Sequence, residues 1–355
     1  MILSNVRTYR IERGWSQDEL ARRAGLSRPA VSAIETGRVV PSVSAALSLA
    51  AVLACRVEDL FGAAGSPATA TPGWAWPPAT EPCPFWAASV GGRLIRYPVE
   101  RTLAGVLRPD GTMQGSVVRL QEPFDPQRTL VIAGCDLAAG MLAEEMAHAA
   151  SMRLLPFIRS SGRALALLRR GLVHVAGLHL QDAGGVEDNE RAVREQLGGG
   201  YTLLRVTRWQ EGLALQPGLG VTTIREVVGA NLRWVGREEG SGARRCLDAI
   251  LGRRRPRPEG YERIAFDHGG VAETIRTGWA QAGVCVRLAA QSAGLDFLAV
   301  RGEDYDLCYR TDMEDDPRVR AVLGIVRSRR FRAAVGALPG YDGATAGELR
   351  RVGHG

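Results

Sequence analysis

Lysine is missing from this 355-residue chain: all 45 of its basic side chains are arginine. Without lysine there is no GxxxxGK[ST] phosphate loop, so nucleotide chemistry on that pattern is excluded. With the abundance of Ala and Gly, the arginine bias reads as the signature of a GC-rich genome. No apolar run approaches the roughly 18 residues that span a bilayer. The amino terminus shows no charged region followed by an apolar run and a small-residue cleavage site. A cytoplasmic chain with no membrane partner is the expectation. The six cysteines, at 55, 83, 135, 246, 285 and 308, contain no CxxC pair. They read as free thiols of a reducing compartment. No HExxH run and no Ser/His/Asp grouping appears, so no catalytic residue and no metal site is predicted. His174 and His179 flank one apolar strand at an odd offset, which sends their side chains to opposite faces. The net charge of +7 is spread along the chain. Residues 1–62 hold eight Arg against six acids, 8 − 6 = +2, so basicity supports nucleic-acid binding without carrying it.

What is present is most specific in Ser16–Gly37, SQDELARRAGLSRPAVSAIETG. Ser16 with Glu19 three residues on has capping-box spacing. Gly25 ends that helix where a left-handed residue costs nothing. Ser27 caps the next helix, with Pro29 in its first turn and Val31 and Ile34 at core spacing. A helix over residues 5–13 with Val6 and Ile11 inward precedes the pair. One over 42–53, with Leu47, Leu49 and Val52 apolar, follows it. Val57, Leu60 and Phe61 close the small core. Two helices so joined read as a helix-turn-helix, whose second helix fits a major groove.

Residues 63–84, rich in Ala, Pro, Thr and Gly, read as a linker, with Trp74, Trp76 and Trp86 pinning it to a neighbouring domain or subunit. Residues 85–128 carry short strand-like runs and read as a small β subdomain. From 129 to 345 strands and helices alternate, which argues for α/β architecture with mostly parallel sheet. Residues 346–355 read as a tail. Arg253–Arg254–Arg255–Pro256–Arg257 reads as a solvated loop that suits the preceding helix dipole. Three strand-to-helix turns stand out: Gly134-Cys135-Asp136, Ser160-Ser161-Gly162, and Gly240-Ser241-Gly242 with Arg244. Small, hydroxyl-bearing residues there leave backbone N–H groups uncovered at helix amino termini, where the dipole favours negative charge. Together they suggest a binding cleft.

The first sixty residues, through RxxRGWSQxELA, the AGLS turn, VSxIExG and VxxLF, resemble the lambda-repressor/Cro-like (XRE-type) DNA-binding domain. Residues 129–345, through VIAGCD, LLRRGLVHVAGLHL, RWQEGLALQPG, REEGSGARRCLD, TGWAQAGVCVRLAAQSAGLDFLAV and YDLCY, resemble the type II, molybdate-binding-protein-like periplasmic-binding-protein domain. The resemblances imply an all-α five-helix domain, the small β subdomain, and two α/β lobes joined by crossovers near 202–209 and 305–310. They also imply a one-component regulator with a double-stranded DNA operator, a small-molecule or oxyanion effector, no further cofactor, and a homodimer. Carried over residue by residue, Gln17 and Arg38 would touch phosphates, with Arg28, Ser32 and Ser27 at base edges. The cleft would contain Cys135, Asp136, Ser160, Ser161, Arg237, Ser241, Gly242 and Arg244, with His179 and Asn189 as weaker candidates. Asp136 departs from the pattern for oxyanions: it either meets ligand, caps the helix starting at Leu137, or pairs with Arg244. An enzyme or cofactor-handling protein of molybdenum metabolism is the alternative reading.

Overall fold

Side-chain capping decides where the first helices start and stop. In the computed structural model, which describes residues 4–53, 55, 57–61, 73–180, 188–252 and 257–353, five helices follow one another. They are α1 (Val6–Glu12), α2 (Gln17–Ala24), α3 (Arg28–Glu35), α4 (Val43–Val52) and α5 (Val57–Phe61). Ser16, Ser27 and Ser42 each accept the backbone N–H three residues on, at 3.1, 3.3 and 3.2 Å. Gly25 at φ 66° turns the chain between α2 and α3, a conformation that favours glycine. Val6, Leu20, Val31, Ile34, Leu49, Leu53 and Leu60 form the core of this unit.

Two residues expected in that core are outside it: Ile11 is 56% exposed and Leu47 is 57% exposed. Helical periodicity gives the reason. With Val6 inward, a residue five positions later turns to the far side, and the buried ladder Ala46–Leu49–Ala50–Leu53 leaves Leu47 off its face.

Residues 72–355 form the second compact unit. Its first strands, β1 (Cys83–Val90), β2 (Arg93–Pro98), β3 (Gly111–Gln114) and β4 (Val117–Leu120), make an antiparallel sheet in the order β2-β1-β3-β4. This sheet is no separate subdomain. Trp86, Ala88, Val90, Ile95 and Tyr97 share one core with Val131, Leu155, Phe157 and Leu165 of the following α/β layer. The end of the predicted linker joins the same layer: Trp76 packs edge-on against Phe157 at 4.8 Å and Tyr97 at 5.5 Å. Residues 63–72 of that linker lie outside the described residues.

Strands and helices then alternate: β5 (Thr129–Gly134), α6 (Ala139–Ala150), β6 (Arg153–Ile158), α7 (Ser161–Arg169), β7 (Val175–Leu178) and α8 (Asp188–Leu197). Next come β8 (Tyr201–Leu215), α9 (Ile224–Gly229), β9 (Trp234–Arg237), α10 (Gly242–Leu251), β10 (Ile264–Ala265), α11 (His268–Arg276), β11 (Ala282–Val286) and α12 (Arg287–Ser292). The unit ends with β12 (Asp296–Arg310), α13 (Pro317–Arg327), α14 (Arg329–Gly336), β13 (Tyr341–Asp342) and β14 (Leu349–Val352).

The main sheet runs β10-β9-β11-β8-β12-β7-β5-β6. Its ends are parallel: β5 with β6 and β7 in the first lobe, and β9 with β10 and β11 in the second. The 15-residue strands β8 and β12 pair antiparallel along their length and belong to both lobes. Irregularities in register at Ala299/Arg301 and Tyr305/Asp306 bracket the stretch between lobes. The crossover is therefore centred on 207–211 and 301–305, further toward the second lobe than 202–209 and 305–310. The expected tail returns to the sheet, since β14 pairs with Tyr201–Leu204 of β8. Asn189 is structural: its amide accepts Leu180 N–H at 2.9 Å and donates to Asp306 at 2.8 Å.

His174 ties β5 to β1. Its Nδ1 accepts Val131 N–H at 2.9 Å, and its Nε2 lies 2.8 Å from Ser89 O as donor. Burial, with Arg318 nearby, pushes the imidazole down to about 4. The unfolded chain takes up this proton near pH 6.5 and the folded unit only near pH 4, so stability falls as pH falls through that window. The expected loss is on the order of 3 kcal/mol. A histidine-resolved NMR titration checks it: the His174 ring stays neutral down to about pH 4, and titration near the free value would contradict the result.

Candidate functional site

The two lobes meet where the strand-to-helix turns face each other across β8 and β12. Gly242, opening α10, sits so close to His179 O that a Cβ there has no room, and a Cβ on Gly162 would lie 3.2 Å from Gly240 O. The Tyr305 hydroxyl wedges between Gly134 and Gly177, both of which must lack a side chain for it to fit. The cleft is closed: Cys135, Asp136, Ser160, Ser161, His179, Glu211, Arg237, Ser241, His268 and Glu303 are all buried.

The turn residues divide by what their side chains already do. Ser241 Oγ accepts Arg244 N–H at 3.1 Å and donates to Glu238 O at 2.7 Å, so it is a helix cap with both roles filled. Ser161 Oγ accepts His179 N–H at 3.1 Å. Ser160 is the N-cap residue of α7 but makes no side-chain cap bond. Its buried Oγ has no partner among the described residues.

Asp136 accepts Ala138 N–H and the Tyr341 hydroxyl, each at 2.9 Å. It therefore closes the turn that precedes α6, whose N-cap position is Ala138, and burial pushes its carboxyl up to about 6. Arg244, expected to aim its charge into the cleft, is committed elsewhere. It bonds Asp248 and Arg237 O, each at 2.9 Å, and lies 4.7 Å over the Tyr261 ring.

The cationic groups in the centre are Arg237, His179 and Arg301. Arg237 is fully buried, bonds Asp267 O through Nη1, and has an Nε without a partner among the described residues. His179 Nδ1 is 2.5 Å from Glu303 Oε2. Burial works against its protonation, but Cys135 and Glu303 beside it raise the imidazole well above its ordinary value. Arg301 spans Glu211, at 2.9 Å, and Glu303. Burial, reinforced by the neighbouring Glu303, pushes Glu211 up to about 7.

His268 opens α11 directly after the Asp267 cap, and both its ring nitrogens lack partners among the described residues. Burial, with Arg237 and His179 nearby, holds it neutral, well below the ordinary histidine value. Trp209, whose Nε1 is likewise unpartnered, packs 5.2 Å from His179 and 5.9 Å from His268.

Glu211, Trp209, Arg301, Glu303, Tyr305 and His268 were missed by sequence reasoning, although signals existed. Trp209/Glu211 and Arg301/Glu303/Tyr305 recur at period two on long buried strands, which puts each set on one face. Asp267-His268-Gly269-Gly270 is a fourth turn of the same small, capped kind.

A buried donor left without a partner costs about 1–3 kcal/mol. Ser160 Oγ, Trp209 Nε1, Arg237 Nε and His179 Nε2 are four such buried donors among the described residues of this unit. That inventory suits a small, electron-rich ligand. In the amino-terminal unit, Arg28 and Ser32 lie one turn apart on α3. Arg28 is exposed and only loosely paired with Asp18, at 3.5 Å. Ser27 and Arg38 are also exposed, and Gln17 donates to Glu35 at 2.9 Å.

Residues 103–327 match the PBP superfamily domain, and residues 6–60 match a helix-turn-helix family. YvgK, an uncharacterised protein of Bacillus subtilis (strain 168), is 29% identical over 238 residues, covering 65% of this chain and 76% of its own. YgzD of the same organism, an uncharacterised HTH-type transcriptional regulator, is 36% identical over 58 residues, 16% of this chain and 88% of its own. The tungstate-binding protein TupA of Desulfovibrio alaskensis G20 is 12% identical, covering 60% of this chain and 98% of its own at a TM-score of 0.42.

Proposed function

The chain belongs to the PBP superfamily, carried behind an XRE-type helix-turn-helix, and from that premise we propose that it is a cytoplasmic, one-component transcription regulator whose cleft binds a small anion. The observation that carries the ligand class is the set of unpartnered donors around Arg237 and His179. The carboxylate that would repel an anion, Asp136, accepts the Ala138 N–H and the Tyr341 hydroxyl through one oxygen, and burial pushes it up to about 6, which reduces its charge. An oxyanion such as molybdate, or a small organic acid, fits the enclosed donors. A thermal-shift and calorimetric panel of molybdate, tungstate, phosphate and small carboxylates tests this. At least one raises the melting temperature of the carboxy-terminal unit, and a panel without any shift would sink the anionic reading.

On DNA, Gln17 and Arg38 contact phosphates, while Arg28, Ser32 and Ser27 face base edges. Arg28 held bidentate to a guanine contributes roughly 1–3 kcal/mol of discrimination. Arg28→Ala thus relaxes sequence preference, whereas Arg38→Ala weakens all DNA equally and lowers the salt slope by about 1. Binding-site selection with the Arg28 variant reads this directly, and an unchanged preference would contradict the assignment. A homodimer on two half-sites supplies the specificity one such unit lacks. Light scattering on the DNA complex would show two chains per operator, and a single chain there would refute it.

A further inference from the structure

Cys135 Sγ and one ring nitrogen from each of His179 and His268 lie within 4.8 Å of one another, and all three residues are buried. They come from three different turns: the end of β5, the residue after β7, and the start of α11. We propose that these three side chains form a binding site for a single divalent cation of the zinc class, with the fourth coordination position open toward the cleft.

The donor set is the first reason. One thiolate and two imidazoles match the nitrogen and sulfur preference of zinc, and three protein ligands with an open position are the pattern of sites that bind a further ligand. Metal–ligand bonds of roughly 2.0–2.3 Å give ligand–ligand edges of roughly 3.3–3.8 Å, so the atoms need to draw together by at most about 1.5 Å.

His268 is the second, independent reason. A fully buried imidazole with neither nitrogen bonded among the described residues is unusual, because buried polar groups are ordinarily satisfied. A metal at this place takes one of those nitrogens. His179 is the third. Glu303 holds Nδ1 at 2.5 Å and leaves Nε2 as the free nitrogen, the carboxylate–histidine arrangement that orients ligating imidazoles.

The neighbouring trio His179, Glu211 and Glu303 is also compact. Arg301 pairs with Glu211 Oε2 and Glu303 Oε1, and His179 holds Glu303 Oε2, which leaves Glu211 Oε1 as the one oxygen of the trio without an ion-pair or hydrogen-bond partner among the described residues, so the trio reads as the supporting ion network. The proposal does not depend on the anionic effector: the cation takes the place of the proton on His179 Nε2, and an anion then meets the metal's open position rather than that N–H.

The test uses the full chain stripped with chelator and titrated with Co²⁺ and Zn²⁺. One equivalent of Co²⁺ produces a thiolate-to-metal charge-transfer band and intense visible bands of a four-coordinate centre, and Zn²⁺ displaces it. Cys135→Ser removes the charge-transfer band, and His268→Ala removes stoichiometric binding. Cys308→Ser, at a buried thiol in the first-lobe core, leaves both intact. Glu303→Gln, at the residue that orients the ligating His179, weakens the metal by about 10–100-fold while keeping the same spectrum. Circular dichroism establishes that each variant is folded. If the wild-type protein gives no charge-transfer band, the site is refuted whatever the variants do, and an anion-induced thermal shift without it would leave the effector reading standing. A band retained in Cys135→Ser would equally overturn the assignment.

Discussion

Glu35→Ala strongly destabilises the amino-terminal unit and weakens operator binding, although Glu35 itself contacts no DNA. Glu35, on α3, is nearly enclosed. It accepts Arg10 Nε at 2.6 Å and Nη2 at 3.0 Å, and Gln17 Nε2 at 2.9 Å. These bonds fix α1 and the start of α2 against the recognition helix. Burial alone would raise the Glu35 carboxyl, yet the hydrogen bonds from Arg10 and Gln17 hold it below its ordinary range.

Removing the acid strands a part-buried guanidinium at a cost on the order of 3 kcal/mol, a large share of the roughly 5 kcal/mol that holds a unit of this size. The melting temperature of the unit drops by roughly 15 °C. The sign with pH follows from the lowered carboxyl. The pair's contribution is fully present above the free glutamate value of about 4.3 and fades as pH falls through the lower folded value. Scanning calorimetry on the full chain should show the amino-terminal transition moving down and the other unmoved. An unaltered amino-terminal transition would mean the pair is neutral.

Arg237→Ala should act in the opposite way, costing ligand rather than fold. Its guanidinium is wholly buried, and burial lowers its affinity for the proton it keeps. Among the described residues its bonded partner is the Asp267 carbonyl, not a carboxylate. A buried cation without an ion-pair partner is a burden on the empty protein, so the variant folds as stably as the parent or more so. The bound anion loses a charged hydrogen bond of about 1.5–3 kcal/mol, which is about a 10–150-fold loss of affinity. Calorimetric titration of parent and variant, with melts of both unliganded proteins, separates the two effects. Equal affinities would remove Arg237 from the site.

The parts of this molecule that sequence made legible are those fixed by a few neighbouring residues. Ser16, Ser27 and Ser42 are caps because a hydroxyl reaches an N–H three residues ahead, a local event that spacing reveals. The turns at Cys135, Ser160 and Ser241 were visible for the same reason. What escaped was set by distant pairing. Ser241 and Ser160 look alike in sequence, yet one hydroxyl is consumed by capping and the other is not. Arg244 looked like the cleft cation because it follows the turn, but an i,i+4 carboxylate and the Tyr261 ring draw it aside. Arg301 and Glu303 enter the centre only because β12 crosses between lobes in register with β8. The strand at 349–352 likewise depends on an exposed edge of β8 that its own residues do not announce.

The central claim is that occupancy of the cleft changes the affinity of the helix-turn-helix for DNA. Fluorescence anisotropy with a labelled operator fragment, repeated across concentrations of whichever tested anion raises the melting temperature, measures that coupling. The expected result is a shift in operator affinity of about 5–150-fold that saturates with ligand, and its loss in Arg237→Ala at the same ligand concentration. An operator affinity that stays constant while calorimetry shows the cleft filling would contradict the account.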